Sequence, residues 1–354
     1  MKKILALVIS LLLATSTGEV YCRFLIKPSP VYPLIWDQDL GWLGRPNSQG
    51  WNQESKLFTK KSSDGWHDFS IERDSSKRCT VNLFGDSMTE GIQVAEKDTF
   101  ASLIESQKPI CRDTRVNNFG VSSHGPLQGL RLFEAKSVSS PATVTIVSIF
   151  LGNDFDDLIE ENTFKNRPQY IISDGTIEII ENTYRPSDFR YSMALLAGKI
   201  GDRSALFATA IEAMQKTRGK LKHKNQLPSQ LKTVYTLEPV NYEKYRLLAM
   251  RETLIRFKEL ANLRETKLMF LIIPTATQAT LIEGKESMAR EKFILGLCEE
   301  MAFNCLSLTR YWADLKLTRE VTSAFFYGGV GHFTPSGHLS VAELLTNALK
   351  STKN

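Results

Sequence analysis

Residues that together could transfer an acyl group stand at four places in the chain. Ser87 follows a short apolar run that stops at Gly85, Asn153 follows a longer apolar run, and His332 lies just before the last helical pattern. Acyl transfer through serine needs a hydroxyl, a base within hydrogen-bond reach and donors for the developing oxyanion. Ser87, His332 and the Asn153 amide provide one of each, and the main-chain N–H groups of the 120–125 loop provide further donors.

Each of these residues also has a plain structural interpretation. Serine and aspartate are good helix N-caps, so the position of Ser87 alone favours a cap over a nucleophile. Asn153 also fits a turn, His332 fits a loop, and the glycines of the 120–125 loop fit a tight turn. Because all four lie at the ends of successive predicted elements, their combination favours the catalytic interpretation.

The elements that must position these residues show an alternating pattern of strands and helices. Residues 143–151 are a nearly continuous run of β-branched and apolar side chains, which is typical of a strand buried on both faces of a parallel sheet. The alternation predicts an α/β fold with a doubly wound, mostly parallel sheet flanked by helices, which binds ligands at the carboxyl ends of its strands. The other predicted elements are strands at 80–84, 115–120, 267–273 and 303–306, and helices at 99–105, 126–136, 242–262, 287–300 and 335–349.

The patterns divide the chain into three parts. Residues 1–22 are predicted to be a signal peptide or an N-terminal anchor, and residues 23–78 an irregular or β-rich lead-in. Residues 79–354 carry the α/β domain, with an insertion at about 155–240 that interrupts the alternation. We expect one large domain with an inserted region rather than two independent α/β domains.

The insertion carries its own structural signals. A hairpin is predicted at 170–180 from its Asp-Gly turn, and an amphipathic helix is predicted at 204–214. Because the insertion follows the strand end at Asn153, it is either a lid that shapes the substrate site or a remote decoration.

The N-terminus has the features of an export signal. Lys2 and Lys3 precede an apolar segment at 4–14, which is the pattern of a signal peptide. This segment is short for a membrane span, which needs about 20 residues. The residues at 15–20 are not strongly polar, and no clear cleavage site and no lipobox precede Cys22. A retained membrane anchor is therefore the alternative to a cleaved signal peptide. The protein is therefore expected to be periplasmic or extracellular, with possible membrane association.

Composition excludes some classes of protein. The 354 residues include 44 Lys and Arg against 39 Asp and Glu, a net charge of +5. The excess is small and dispersed, so we expect no nucleic-acid partner. The densest basic stretch, at 216–224, is interpreted as a solvated helix end or loop.

The five cysteines are compatible with an oxidising compartment. We expect disulfides between Cys79 and Cys111 or between Cys298 and Cys305. Because the number of cysteines is odd, at least one remains unpaired. The spacing Cys-x-x-Cys is absent from the sequence, which argues against a structural zinc site.

Four blocks of the sequence resemble the SGNH (GDSL-like) hydrolase family in order and in spacing. Gly-Asp-Ser at 85–87 is similar to the first block, residues 118–123 to the second, Gly-Asn-Asp at 152–154 to the third, and His332 to the histidine of the last. Gly-Asp-Ser alone would be a weak signal, but four blocks in order are specific. The resemblance covers roughly residues 79–349, apart from the insertion, and implies a flavodoxin-like version of the α/β fold.

The resemblance also implies a role for each residue of the site. Ser87 would be the nucleophile, His332 the general base and Asn153 the side-chain donor to the oxyanion. The second donor would be the main-chain N–H of Ser123, at a position where the family usually has glycine. Gly120 is the nearest glycine and is the alternative donor if the register of this block differs.

One feature of the family is missing. The family commonly places an aspartate two or three residues before the histidine, but this chain has Val330 and Gly329 there. That aspartate would orient the imidazole and stabilise the imidazolium. Three explanations remain open: a backbone carbonyl holds the ring of His332, another carboxylate such as Asp154 or Asp157 replaces the aspartate, or activity has been lost.

Three neighbouring residues are assigned supporting roles. His338 is interpreted as a packing or capping residue of the last helix, and Asp86 as a brace of the loop that carries the serine. His124 lies in the oxyanion loop and is a candidate for lining the pocket.

The sequence therefore predicts an exported serine esterase that acts through an acyl-enzyme on a small-molecule or glycan-linked ester, with no metal or organic cofactor. An O-acyltransferase acting on an envelope polysaccharide shares the acyl-enzyme and differs only in the acceptor. A catalytically impaired SGNH-like binding protein is the alternative from a different class, motivated by the missing aspartate.

Overall fold

The structure is a computed structural model. It describes residues 1–67, 79–159, 166–225, 242–279, 285–329 and 331–351, and for 218–225 and 285–287 it describes only the helical backbone. Val330, one of the two positions where the SGNH family has aspartate, lies outside the described residues.

Two compact units make up the chain, each built from three separate stretches. We name them the sheet unit, formed by Trp36–Leu43, Trp66–Arg185 and Asn241–Asn354, and the N-terminal unit, formed by Met1–Ile35, Gly44–Gly65 and Pro186–Val240.

The described residues form eleven strands. In chain order they are β1 (Leu34–Asp37), β2 (Gly41–Gly44), β3 (Gln49–Trp51), β4 (Phe58–Lys60), β5 (Cys79–Gly85), β6 (Thr114–Gly120), β7 (Val144–Phe150), β8 (Gln169–Ser173), β9 (Thr176–Ile180), β10 (Lys267–Ile273) and β11 (Cys305–Ser307).

The described residues also form thirteen α-helices. In chain order they are α1 (Lys2–Tyr21), α2 (Ser87–Glu90), α3 (Phe100–Gln107), α4 (Pro126–Ser139), α5 (Asp154–Leu158), α6 (Asp188–Gly201), α7 (Ala205–Asn225), α8 (Tyr242–Leu263), α9 (Ala276–Ala279), α10 (Lys285–Glu300), α11 (Leu308–Asp314), α12 (Arg319–Ser323) and α13 (Pro335–Ser351).

The sheet unit is organised around a five-stranded parallel sheet with the order β6-β5-β7-β10-β11. Numbered along the chain, this is the 2-1-3-4-5 order of flavodoxin-like sheets. The predicted α/β class with a parallel sheet flanked by helices is confirmed. The chain crosses from one side of β5 to the other after β6, so the switch point lies between β5 and β7, where such sheets bind ligands.

Alternating side chains of the strands supply two hydrophobic layers, one on each face of the sheet. Phe84 of β5 joins the layer that contains Phe133 of α4. Leu83 joins the opposite layer with Ile104 of α3 and Leu345 of α13. All of these side chains are fully buried, and burying each stabilises the fold by roughly 1.5–3 kcal/mol. Helices on both faces explain why the strands read as nearly continuous apolar runs.

The hairpin predicted within the insertion is present as β8 and β9, which pair antiparallel. Its two turn residues, Asp174 and Gly175, both have positive φ, at 45° and 79°. This is the conformation that two-residue hairpin turns require, and Asp-Gly adopts it readily.

Both of the expected cysteine pairs lie together. Cys79–Cys111 and Cys298–Cys305 form disulfides with Cα–Cα separations of 6.2 Å and 6.1 Å, and Cys22 is buried and unpaired. Two disulfides are typical of a protein folded in an oxidising compartment.

The N-terminal unit contains α1, α6, α7 and the antiparallel pair β3 and β4. A buried ion pair stabilises it, since Arg45 Nη1 lies 2.6 Å from Asp202 Oδ2 and Nη2 lies 2.7 Å from Oδ1. Such two-pronged geometry is the arrangement in which an arginine and a carboxylate bind most specifically.

Candidate active site

Ser87 and His332 are in hydrogen-bond contact. Ser87 is the first residue of α2, directly after β5, and its Oγ lies 2.9 Å from Nε2 of His332. Both residues are half-buried, so a substrate can reach them. The helix cap is Asp86, whose Oδ1 accepts the Met88 N–H at 2.9 Å. The hydroxyl of Ser87 is therefore free of the capping role that the sequence left open, and the loop-bracing role assigned to Asp86 is observed.

The turn that presents Ser87 is packed tightly against β6. A Cβ atom added to Gly120 would lie 2.9 Å from the Cα of Glu90, closer than van der Waals contact allows. Only glycine therefore fits at position 120. Asn118 ties the two elements together, because its Nδ2 donates to the Thr89 carbonyl at 2.9 Å and its Oδ1 accepts the Gly120 N–H at 3.0 Å. Since that N–H is already engaged, the prediction that Gly120 is an alternative oxyanion donor is not supported.

Ser123 is the residue of this loop whose main-chain N–H remains available. Among the described residues, none accepts a hydrogen bond from it. Ser123 has φ of 65°, a left-handed conformation that favours glycine. The left-handed conformation explains why glycine is usual at this position in the family. This chain adopts that conformation with serine instead.

Glu90 holds the 120–125 loop in place. Its buried carboxylate accepts hydrogen bonds from the Ser122 N–H, at 2.8 Å, and from the Ser122 hydroxyl. On the other side, Trp42 donates through Nε1 to the Ser122 carbonyl at 3.2 Å. The loop that carries Ser123 is thus held by the helix that begins at Ser87 and by the lead-in segment.

Asn153 is oriented by a buried ion pair. It is the residue before α5, and its Nδ2 donates to Oδ2 of Asp157, whose Oδ1 lies 3.0 Å from Nη1 of Arg167. The second hydrogen of the amide stays available for a ligand. A Cβ added to Gly125 would lie 2.8 Å from that of Asp157, so the oxyanion loop and the Asn153 segment meet at this edge of the sheet.

Three carboxyl groups are gathered beneath the site. Burial raises the pKa of Asp86 to about 6, although its bond to Met88 and the positive charge of His332 act to lower it. Burial, together with the charges of Asp86 and Asp157, raises the pKa of Asp154 well above its usual value. Burial also raises the pKa of Asp157, against the opposing charge of Arg167.

These contacts exclude two of the expected partners of His332. Asp154 Oδ2 accepts the Phe150 N–H at 2.7 Å, and its buried Oδ1 has no hydrogen-bond partner among the described residues. Asp157 is bound to Asn153 and Arg167. Within the described part of the chain neither aspartate hydrogen-bonds His332, so the hypothesis that one of them replaces the missing aspartate is wrong.

The other histidines of the sheet unit have structural contacts. His338 is buried, its Nδ1 accepts the Phe100 N–H at 3.2 Å, and burial lowers its pKa to about 3. It is a packing residue, as expected. His124 is also buried, with Nε2 2.8 Å from the Trp42 carbonyl oxygen, so it supports the loop rather than lining a pocket.

Sequence reasoning missed three contributors to the site. The N–H of Ser87 stands in the first turn of α2, where backbone donors lack helical acceptors, so it is a further donor near the nucleophile. Glu90 and Arg167 were missed because their partners are distant in sequence. A glutamate three residues after the serine reads as an exposed helix residue unless its burial is known.

Ser123→Gly tests the conformation of the oxyanion loop. We expect activity to be retained, because the donor is a main-chain N–H, and the free energy of unfolding to rise by up to about 1 kcal/mol as left-handed strain is relieved. Valine tolerates this φ poorly, so Ser123→Val should lower both the free energy of unfolding and kcat. Urea unfolding and ester turnover measure the effects; a Gly variant that loses activity would contradict the assignment.

Asn153→Ala tests the side-chain donor. Removing one oxyanion donor typically lowers kcat about 10²–10³-fold, and we expect a loss of this size with KM little changed. Asp157→Asn, which only weakens the orientation of Asn153, should lower kcat less. A larger loss for Asp157→Asn than for Asn153→Ala would show that the ion pair matters to the fold rather than to the donor.

Asp154→Asn tests the buried carboxyl groups through pH. In the folded protein Asp154 keeps its proton to higher pH than in the unfolded chain, where the reference pKa is 3.8. Stability from this group is therefore present at low pH and lost as pH rises above about 4. Urea unfolding from pH 4 to 7 should show the wild type losing stability relative to the uncharged variant; a constant difference would refute this.

Several solved structures are similar to this chain at low sequence identity. The lipase/acylhydrolase from Enterococcus faecalis is 11% identical, with 78% of this chain and 97% of that chain covered and a TM-score of 0.43. TesA is 10% identical, with 77% and 98% covered and a TM-score of 0.43. The psychrotrophic esterase EstA from Pseudoalteromonas sp. is 8% identical, with 78% and 98% covered and a TM-score of 0.42.

No protein-family model and no curated protein matches the sequence. The similar solved structures include proteins described as a lipase/acylhydrolase, a putative lipolytic protein of the G-D-S-L family and an esterase, all at low identity. Similarity at this level assigns no activity by itself, and the case for function depends on the geometry of Ser87, His332 and Asn153.

Proposed function

We propose that the protein is a serine esterase that hydrolyses a carboxylic ester through an acyl-enzyme. The observation that carries the proposal is the 2.9 Å contact between Ser87 Oγ and His332 Nε2 at the switch point of the sheet. Asn153 and the Ser123 N–H supply donors at the same edge. A nucleophile, a base and oxyanion donors are the three requirements of this chemistry.

Acylation follows from these positions. Ser87 Oγ attacks the ester carbonyl carbon while Nε2 of His332 takes the hydroxyl proton. The carbonyl π electrons move onto oxygen, and the oxyanion accepts hydrogen bonds from Asn153 Nδ2 and the Ser123 N–H. The bond to the alcohol then breaks, and His332 returns its proton to the departing alkoxide.

Deacylation repeats the sequence with water as the nucleophile. His332 takes a proton from water, the resulting hydroxide attacks the acyl carbon, and the same donors hold the second oxyanion. The bond to Ser87 breaks, Ser87 recovers its proton from His332, and the carboxylic acid leaves. Each proton that His332 accepts is given back, so the cycle needs no further reactant.

Asp86 is the proposed source of electrostatic support for the imidazolium. The charge of His332 lowers the pKa of Asp86 against the effect of burial, so the two groups interact electrostatically. This support differs from the usual aspartate before the histidine, because Asp86 is the neighbour of the nucleophile and makes its hydrogen bond to Met88.

The substrate class that we propose is a small-molecule or glycan-linked ester outside the cytoplasm. The apolar N-terminal helix fits a signal peptide or an anchor, and the two disulfides fit an oxidising compartment. Both features favour export to the periplasm or the extracellular space.

The test is product analysis with the purified protein. Short-chain p-nitrophenyl esters should release nitrophenol, and an acetylated polysaccharide should release acetate, with water as the acceptor. If an acetyl donor with unmodified glycan gives acetylated glycan instead, the protein is a transferase. If no ester is cleaved and no acyl-enzyme forms, the protein is a binding protein that has kept the site.

A further inference from the structure

The N-terminal unit begins with an apolar helix that is exposed over most of its length. Among the described residues, the stretch from Lys2 to Ile26 is the helical segment long and apolar enough to cross a membrane, and no residue of α1 is buried. Lys2 and Lys3 stand at its start. Basic residues flanking an apolar helix favour the cytoplasmic side, which would place the folded chain outside.

The C-terminal end of this helix is part of the folded unit. The carboxylate of Glu19 accepts the N–H groups of Ala205 and Leu206, at 2.8 Å and 3.0 Å, and the hydroxyl of Ser204 at 2.9 Å. Glu19 thus supplies the cap of α7. Arg23 donates to the Arg203 carbonyl at 2.9 Å. Removal of residues 1–22 would delete the cap of α7, so the structure favours a retained helix over a cleaved one.

Helix α6 of the same unit carries an exposed apolar stripe. The stripe consists of Phe189, Met193, Leu196 and Ile200, which are 76%, 49%, 51% and 41% exposed. Their spacing of four, three and four residues puts them on one face of the helix. The helix packs on the unit through Gly198, where an added Cβ would lie 2.8 Å from Arg45 Nε.

The apolar part of α1 is shorter than the hydrocarbon core of a bilayer, which would hold the folded unit and its stripe close to the bilayer surface. The apolar residues 4–18 rise about 22 Å at 1.5 Å per residue, whereas the hydrocarbon core is about 30 Å thick. The exposed apolar side chains Phe24, Leu25 and Ile26 continue the segment beyond Glu19. Because this uninterrupted apolar part of the helix is shorter than the hydrocarbon core, the residues just beyond it are drawn to the bilayer surface.

The charges beside the stripe fit the same partner. Arg190 and Lys199 are exposed and lie on either flank of the stripe. Helices that lie in a membrane surface have this combination of large apolar residues with flanking cations, which contact anionic headgroups.

We propose that the N-terminal unit docks on a lipid bilayer, with α1 retained as an anchor and the α6 stripe inserted in the outer leaflet. If the stripe bound a protein partner instead, its side chains would not contact lipid. This surface is independent of the ester chemistry proposed for Ser87, since it belongs to the other unit.

The test uses the full-length protein, expressed with export and reconstituted in bilayers of mixed neutral and anionic phospholipids. Intact mass shows whether residues 1–22 remain. In a Cys22→Ala background, Met193→Cys and the matched control Ala194→Cys, one residue along and turned about 100° away from the stripe, are labelled with an environment-sensitive fluorophore. Spin-labelled lipids then quench dye that is inserted. Circular dichroism checks that both variants are folded, so the result does not depend on activity.

We expect residues 1–22 to be present and the label at 193 to be quenched about threefold more than the label at 194. Loss of residues 1–22 from the mature protein would overturn the proposal. Equal, weak quenching at 193 and 194 in anchored protein would also overturn it, and would assign the stripe to a protein partner or to solvent.

Discussion

Ser87→Ala is expected to lower the turnover of a short-chain p-nitrophenyl ester by at least about 10⁴-fold, because it removes the hydroxyl that forms the acyl-enzyme. The substitution leaves the fold intact, since Asp86 rather than Ser87 caps α2. We therefore expect the free energy of unfolding to change by no more than about 0.5 kcal/mol. Initial rates, with urea unfolding of the same samples, measure both effects.

The neighbouring serine Ser122 is the matched control. Ser122→Ala removes a hydroxyl that donates to Glu90 but keeps the N–H that donates to the same carboxylate. It should lower turnover only modestly. If Ser87→Ala kept full activity, or if both variants lost activity equally, Ser87 would not be the nucleophile.

His332→Ala is expected to lower kcat by about 10³-fold or more, because proton transfer from Ser87 and to the leaving group both depend on it. The side chain is half-buried, so its loss should cost little stability. Added imidazole should restore part of the rate by occupying the space left at Nε2. Steady-state kinetics with and without imidazole measure this result.

His338→Ala is the contrasting substitution in the same segment. His338 is fully buried and accepts the Phe100 N–H, so its loss should lower the free energy of unfolding by about 1–3 kcal/mol. The folded fraction should keep most of its kcat, and imidazole should have no effect. Comparable losses of kcat in both variants would mean that His332 acts through the fold rather than as the base.

The framework of the fold follows from local sequence patterns. The strand predicted at 267–273 is β10 at its observed bounds, and the last helix, predicted at 335–349, is α13 with two further residues. Strands buried on both faces leave continuous apolar runs, and these were strong enough to predict the parallel sheet. Ser87, Asn153 and His332 could be located because each lies at the boundary of such a run.

Helix α6 was not predicted, for a physical reason. Two of its faces are apolar, one packed on the unit through Gly198 and one exposed as the stripe that includes Phe189 and Leu196. A helix with apolar residues on opposite faces has no single polar side, which weakens the periodic signal on which sequence prediction depends.

The supporting residues of the site could not be predicted because they act through long-range contacts. Glu90 meets Ser122 across 32 residues, and Trp42 meets the same residue across 80. Asp157 was one of two candidates for a carboxylate that replaces the missing aspartate, but the fold pairs it with Asn153 and Arg167. Sequence patterns locate strand ends, but they do not show which polar side chains at those ends point towards one another.

The most direct test of the account is labelling of the full-length protein with a fluorophosphonate, followed by peptide mass spectrometry. The probe reacts with a serine hydroxyl that a neighbouring base has activated. We predict a single adduct on Ser87 in the wild type, none in Ser87→Ala, and a much slower reaction in His332→Ala. An adduct on another serine, or labelling of Ser87 at the same rate without His332, would contradict a nucleophile activated by that histidine.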